Sequence, residues 1–185
     1  MEYRLTTPCT AADLAPLRAG DTVLLSGVVY TARDQAHRRM MEALDRGEAL
    51  PFPLEGSAIY YVGPTPERPG QVIGSAGPTT SGRMDAMSPR LLDLGNKIMI
   101  GKGKRDEAVK AAVVRNGAVY LAGLGGAGAL MAKSVKTLEV IAWEDLGCEA
   151  VRRLTVQDMP LTVVLDAVGG DLYQSGPAAY LAEAE

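Results

Sequence analysis

KIMIGKGKRDEAVKAAVVRNGAVYLAG, residues 97–123, decides the fold. KIMIGKG (97–103) is an apolar run entering a glycine turn, EAVKAAVVRNG (107–117) reads as a helix, and AVYLAG (118–123) as a strand. Strand, helix and strand joined by short turns are the repeating unit of an α/β chain. Working upstream, DTVLLSGVVYTA (21–32) reads as a strand with a glycine bend at Gly27, or as a strand pair. From Arg33 to Arg46 the period changes. Ala36, Met40, Ala43 and Leu44 fall three and four residues apart in an amphipathic helix that stops at Gly47. SAIYYVG (57–63) and QVIGSAGP (71–78) read as strands, and MDAMSPRLLDLG (84–95) as a short helix interrupted near Pro89 and closed by Gly95. Downstream, ALMAKSVKTL (129–138) reads as a helix, LEVIAWEDL (138–146) as a strand leading to a turn, and LTVQDMPLTVVLDAVGGDLY (154–173) as two strands with a loop at Met159-Pro160. The expected class is α/β, a mixed β/β/α order in a single domain spanning residues 1–185.

Composition narrows the function classes. Hydrophobic residues at 47% and charged residues at 22% are those of a globular chain, and a net charge of −3 with a pI near 5.3 argues against a nucleic-acid binder, which needs excess Lys and Arg. No apolar run approaches the ~18 residues of a membrane span, and MEYRLTTPCTAADL lacks the basic-then-apolar order of a signal peptide, so the expected location is cytoplasmic, with no membrane partner. Cys9 and Cys148 are far apart and outside any C-x-x-C pattern, which excludes an iron–sulfur cluster held by this chain's thiolates alone; no metal or cofactor is expected on it. Aromatics at 5% leave the core to aliphatic side chains, and the abundant glycines point to tight turns and close backbone approaches.

Three places bring a strand end, a glycine or proline turn and a cation together: TARDQAH (31–37), GPTTSGR (77–83) and IGKG (100–103). In open α/β sheets, ligands bind beyond the carboxyl ends of strands, so Arg33, Arg83 and Lys102 are expected to converge on an anion there. Each has an ordinary alternative: Arg33 at a helix start can face solvent, His37 is the only histidine and can be structural, Thr79-Thr80-Ser81-Gly82 can be a plain turn and cap, and Lys102 with Lys104 and Arg105 can form a solvated face. GLGGAG (123–128) formally matches G-x-G-x-x-G, with Glu144 about 20 residues on where a ribose-binding acid would sit. It arises late in the chain, and its glycines also serve close helix-to-strand packing, which is how we read it.

In order, TARDQAHRRM, PFPLEGSAIYYVGPTP, SAGPTTSGRMD, IGKG, AVYLAGLGGAGALMAKSVK and DLGCEAVRRLTVQDMPLTVVLDAVGGDLY resemble the β subunit, or C-terminal domain, of class I (iron–sulfur-dependent) fumarate hydratases, with the L(+)-tartrate dehydratase β subunit as a close relative. The resemblance covers nearly the whole chain. It implies a swivelling β/β/α domain and reversible hydration of fumarate to L-malate in a hetero-oligomer with an α subunit that carries the 4Fe-4S cluster. It implies Arg33 and Arg83 as dicarboxylate clamps, Lys102 as a third cation, Thr79 as the proton-transferring residue, and His37 as a support for Arg33 or a bond to substrate. RMD at 83–85 and the C-terminal stretch favour fumarate over tartrate. A stand-alone dicarboxylate-binding module is the reading from a different class, and self-association without the α subunit stays open.

Overall fold

The two strands of the opening stretch show how the fold is organised. Ile98, Ile100, Val119 and Leu121 enter one apolar core, while Met99, Ala118 and Tyr120 enter another on the opposite face. Strand side chains alternate in direction, so strands that are apolar at every position must be covered on both faces. The computed structural model describes residues 1–124 and 126–183. Its elements are β1 (Glu2–Thr6), α1 (Ala11–Leu14), β2 (Thr22–Thr31), α2 (Asp34–Asp45), β3 (Ala58–Tyr60), a 3-10 turn (Ser81–Met84), α3 (Ser88–Asp93), β4 (Ile98–Gly101), α4 (Glu107–Arg115), β5 (Val119–Ala122), α5 (Gly128–Ser134), β6 (Val135–Ala142), a second 3-10 turn (Glu144–Glu149), β7 (Val151–Leu165) and α6 (Leu172–Glu183).

Strands β1 to β5 run parallel in sequence order. The long β7 runs antiparallel to β5 and also to β2, where Thr22 faces Thr162 and Thr31 faces Arg152. This second pairing closes β2, β3, β4, β5 and β7 into a small barrel-like ring, and β6 is added along the first half of β7. Val23, Leu25, Val29, Leu154, Val156, Leu161 and Val163 fill the inside with Tyr60 and Ile100. Outside, α2 contributes Ala36 and Met40, α3 Leu91 and Leu92, and α4 Val109 and Val113, packed on Ile59, Tyr61, Met99 and Tyr120. Each fully buried Val, Leu, Ile or Met side chain among these contributes about 1.5–3 kcal/mol. The Asp106 carboxylate accepts from Val109 N at 2.8 Å and starts α4 where the sequence turns helical.

Several expectations change. QVIGSAGP is not a strand: Ser75 bonds Thr65 through both its backbone groups, so the segment folds back on residues 65–66. The helix expected over 129–138 ends at Ser134, because Val135, Thr137 and Leu138 pair with β7. Pro89 starts α3 near its first turn, where a missing N–H costs nothing, and does not interrupt it. The loop expected at Met159-Pro160 is absent: β7 runs through it, and Pro160 falls between the last β6 partner, Val156, and the first β5 partner, Thr162, where one edge needs no donor. β2 is one strand with a bulge between Leu25 and Gly27, and Gly27 takes φ +99. Strand β1 and helices α1 and α6 had no counterpart in the sequence reading.

Candidate functional site

Four parallel strands deliver their carboxyl ends to one edge of the ring, and the residues singled out in the sequence follow those ends. After β2, Ala32 N still bonds Tyr60 O, and Arg33 caps α2 with extended backbone and no side-chain cap bond. Its carbonyl accepts from His37 N at 2.8 Å and meets His37 Nδ1 at 3.0 Å. A carbonyl only accepts, so Nδ1 carries the proton and Nε2 presents a lone pair. His37 is fully buried against Tyr61, Nε2 has no partner, and desolvation pushes its pKa down to about 4, so the ring is neutral. It holds Arg33 from beneath.

The Arg33 guanidinium lies over Gly63, where an added Cβ would stand 2.6 Å from Nη1. Nη2 is 3.4 Å from Glu149 and 3.7 Å from Asp34. The same Asp34 oxygen is 3.3 Å from Arg83 Nη1. One carboxylate therefore sits between the two guanidinium groups, and it does so loosely: Arg33 Nε and Asp34 Oδ1 are buried without partners. Such an arrangement has unused donors for a further carboxylate. Asp34 and Glu149, whose Oε2 accepts from Gln35 N at 3.0 Å, also place negative charge at the positive end of α2.

The loop 77–83 reaches the same edge. Thr79 N bonds Tyr61 O at 2.8 Å, Ser81 N bonds Lys102 O at 2.9 Å, and Thr80 forms a parallel bridge with Lys102. Thr79 is half-buried, while Arg83 and Lys102 are exposed. Among the described residues the Lys102 ammonium makes no hydrogen bond or ion pair. The structure thus brings Arg33 and Arg83 onto one carboxylate, sets Lys102 after the end of β4 and hangs the Thr79 loop on Tyr61 just beyond β3, with His37 bonded to the Arg33 carbonyl.

Residues that the sequence did not flag complete the edge. Asp34 and Glu149 meet Arg33, and Arg105, for which a solvated face with Lys102 and Lys104 was one alternative, is instead buried: its side chain is 0% exposed and pairs with Asp85 at 2.5 Å. The legible signal was weak, since K-G-K-R-D looks like any charged turn.

Two further features bear on ligands. Cys9 lies in the inner core, where desolvation raises its pKa to about 11, and Cys148 is exposed, so the thiols sit in unlike surroundings that do not fit a shared cluster. No group of three or more His, Cys, Asp or Glu side chains that could hold a metal ion occurs among the described residues. At GLGGAG, Gly125 lies outside the described residues. Ala76 N bonds Gly128 O at 3.0 Å, and a Cβ on Gly128 would stand 2.9 Å from Gly77 N. The space before α5 is filled by residues 75–77, and β6 pairs with β7 rather than beside β5, so the strand–helix–strand unit of a dinucleotide site is not formed. None of the described helices is long and apolar enough to cross a membrane.

Comparison with known proteins matches residues 1–176 to the family described as Fumarase C-terminus. The chain is 40% identical over 167 residues to Fumarate hydratase 2 of Leishmania major, covering 87% of this chain and 29% of the relative. It is 37% identical over 165 residues to the aerobic class I fumarate hydratase of Escherichia coli K12, covering 88% of this chain and 30% of the relative. It therefore spans less than a third of the length of these fumarate hydratases. It is 39% identical over 180 residues to the putative L(+)-tartrate dehydratase subunit beta of Methanocaldococcus jannaschii, covering 94% of this chain and 92% of the relative.

Proposed function

The chain belongs to the fumarase C-terminus family, and on that premise we propose that it is the β-type half of a two-part hydro-lyase that reversibly hydrates fumarate to L-malate. One observation carries the proposal: Arg33 and Arg83 share the Asp34 carboxylate at the carboxyl edge of the parallel strands, beside Thr79 and Lys102. Guanidinium groups match carboxylates in a planar fork, and a dicarboxylate needs such a grip to be oriented. Arg33, Arg83 and Lys102 bind the substrate carboxylates, and His37 sets the height of Arg33. Thr79 moves the proton at the carbon next to the one that gains hydroxyl. A threonine hydroxyl is normally far too weak an acid for this, so the positive charge of Arg83 and Lys102 must stabilise its deprotonated form.

Because this chain's thiols do not fit a cluster, the 4Fe-4S group is assigned to an α-type partner, and only the steps above are placed here. A separate partner chain is supported by the coverage of the tartrate dehydratase β relative, 92% of its length. The barrel-like sheet supports the swivelling β/β/α name for the fold. L(+)-Tartrate, with one more hydroxyl, is the second substrate reading, favoured by that same relative.

The test is co-expression with the α-type subunit under anaerobic conditions, followed by assay with fumarate, L-malate and L-tartrate. Fumarate hydration by the complex and not by either chain alone is expected. Turnover of tartrate only would move the assignment to the dehydratase. A complex inert on all three, paired with dicarboxylate binding by the isolated chain, would make it a binding module.

A further inference from the structure

Beneath the exposed Lys102 lies a set of polar groups that the proposed chemistry does not use. The Tyr120 hydroxyl, on β5, is 2.9 Å from Ser81 Oγ and 3.0 Å from Gly103 O, and Ser81 Oγ accepts from Lys102 N at 3.1 Å. Tyr120 is the donor to both, sharing its one proton between Ser81 Oγ and Gly103 O, so a single hydroxyl ties the Ser81 side chain to the backbone of the Lys102 turn. Gly103 N donates to Tyr173 Oη at 2.9 Å, so both backbone groups of the residue after Lys102 are held by tyrosines. Gly103 also takes φ +88, a conformation that keeps the turn tight.

A second tie lies a few residues on. Arg105 Nε bonds Asp85 Oδ1, Nη2 bonds Ser88 Oγ at 2.9 Å, and the guanidinium lies 5.0 Å from the Tyr120 ring centroid and 5.4 Å from that of Tyr61. The other Asp85 oxygen accepts from Asp106 N at 2.7 Å. Loop 79–85 is therefore fastened to segment 102–106 at two points, Ser81 on the backbone of Lys102 and Asp85 on Arg105 and Asp106, with Arg83 in the loop between them. A buried guanidinium pair is costly to desolvate and adds little net stability compared with apolar residues of the same volume, so its use here has to be sought in geometry.

We propose that Tyr120 and Arg105 are positioning residues that fix the Lys102 turn against the Thr79 loop, so that the two cations meet a dicarboxylate at a set spacing. This rests on the dicarboxylate site described above. Tyr120→Phe keeps the ring over Arg105 and removes only the hydroxyl. In the complex with the α-type subunit it is expected to lower kcat/KM about tenfold, the worth of roughly one hydrogen bond. Introduced into Lys102→Met, the same change is expected to cost less than about twofold, because the route through Lys102 is already gone. Arg105→Lys is expected to show the same dependence on Lys102. In the free chain, Tyr120→Phe should speed hydrogen exchange at Lys102 and Gly103 while Met99 and Ile100 on β4 keep their protection.

A Tyr120→Phe loss of equal size in both backgrounds would mean a structural role only and overturn the proposal, as would no loss at all where Lys102→Met alone is damaging. No loss from Lys102→Met itself would instead overturn the site assignment, and the positioning role with it. Unchanged exchange at Gly103 overturns the fastening independently of any assay.

Discussion

Loop 77–83 and the glycines Gly123 and Gly128 meet at the same edge of the sheet, yet the first presents Thr79, Arg83 and backbone donors while the second pair presents bare backbone to its neighbour. In the second, Gly123 lies against Pro78 and Gly128 against Gly77, so one loop serves as the seat of the other. Within the first, an added Cβ on Gly82 would find its nearest atom at 3.7 Å, ordinary contact. Glycine content alone does not distinguish a ligand loop from a packing loop. What separates Gly128 from Gly82 is how near the missing Cβ would come to another backbone: 2.9 Å from Gly77 N in one case, 3.7 Å from Lys104 O in the other.

The contrast breaks most visibly at Arg83. Arg83→Ala in the assembled enzyme should lower kcat/KM by about 2 to 4 kcal/mol, with the thermal midpoint nearly unchanged, since the side chain is 55% exposed. Near-native kinetics would remove loop 77–83 from the site. The charged side also has a pH signature that the packing side lacks. Burial lowers the His37 pKa from its ordinary 6.5 to about 4. Between those values the unfolded chain takes up a proton that the folded chain refuses. Stability is thus whole above about pH 6.5, declines as pH falls, and by pH 4 has lost on the order of 3 kcal/mol. Urea unfolding across that range should show the decline, and His37→Gln should flatten it.

Smaller effects sharpen the packing side. Gly128→Ala should cost about 1–3 kcal/mol of stability by forcing loop 75–77 to move, whereas Gly82→Ala should stay within about 0.5 kcal/mol; matched denaturant titrations compare them directly. Equal effects would erase the distinction between the loops. Smallest of all, calorimetric titration with NAD(H) or NADP(H) should register no binding, and micromolar affinity would restore GLGGAG as a nucleotide loop.

Most of the fold was legible where the apolar pattern had a clear period. β2, α2, β4, α4 and β5 sit within a residue or two of their expected bounds because both faces of the strands and one face of each helix are apolar. The failures have local causes. Val72-Ile73 looked like strand, but the flanking glycines turn the chain back on Thr65. Pro160 looked like a break, yet it occupies the one gap between successive partners of β7. Among the candidate site residues, Arg33 and Lys102 follow strands as the sequence suggested, whereas Thr79 and Arg83 were read at the end of a strand that does not form. Arg105 was not, because its burial depends on Tyr61, Tyr120 and Asp85 arriving from three distant segments. Glu149 meets Arg33 only through the return of β7, which no local pattern encodes.

The double pairing of β7 has a consequence for how the chain is made. Thr31 finds Arg152 and Thr22 finds Thr162, so the ring stays open until residues 151–165 have left the ribosome. Until then the nascent chain carries unpaired edges on β2 and β5 and lacks Leu154, Val156, Met159, Leu161 and Val163 from its inner core. Pairings of such high sequence separation form slowly. A chain stalled or truncated before Ala150 would therefore leave those strand edges open, so residues 151–165 are the segment whose synthesis closes the ring and covers the inner core.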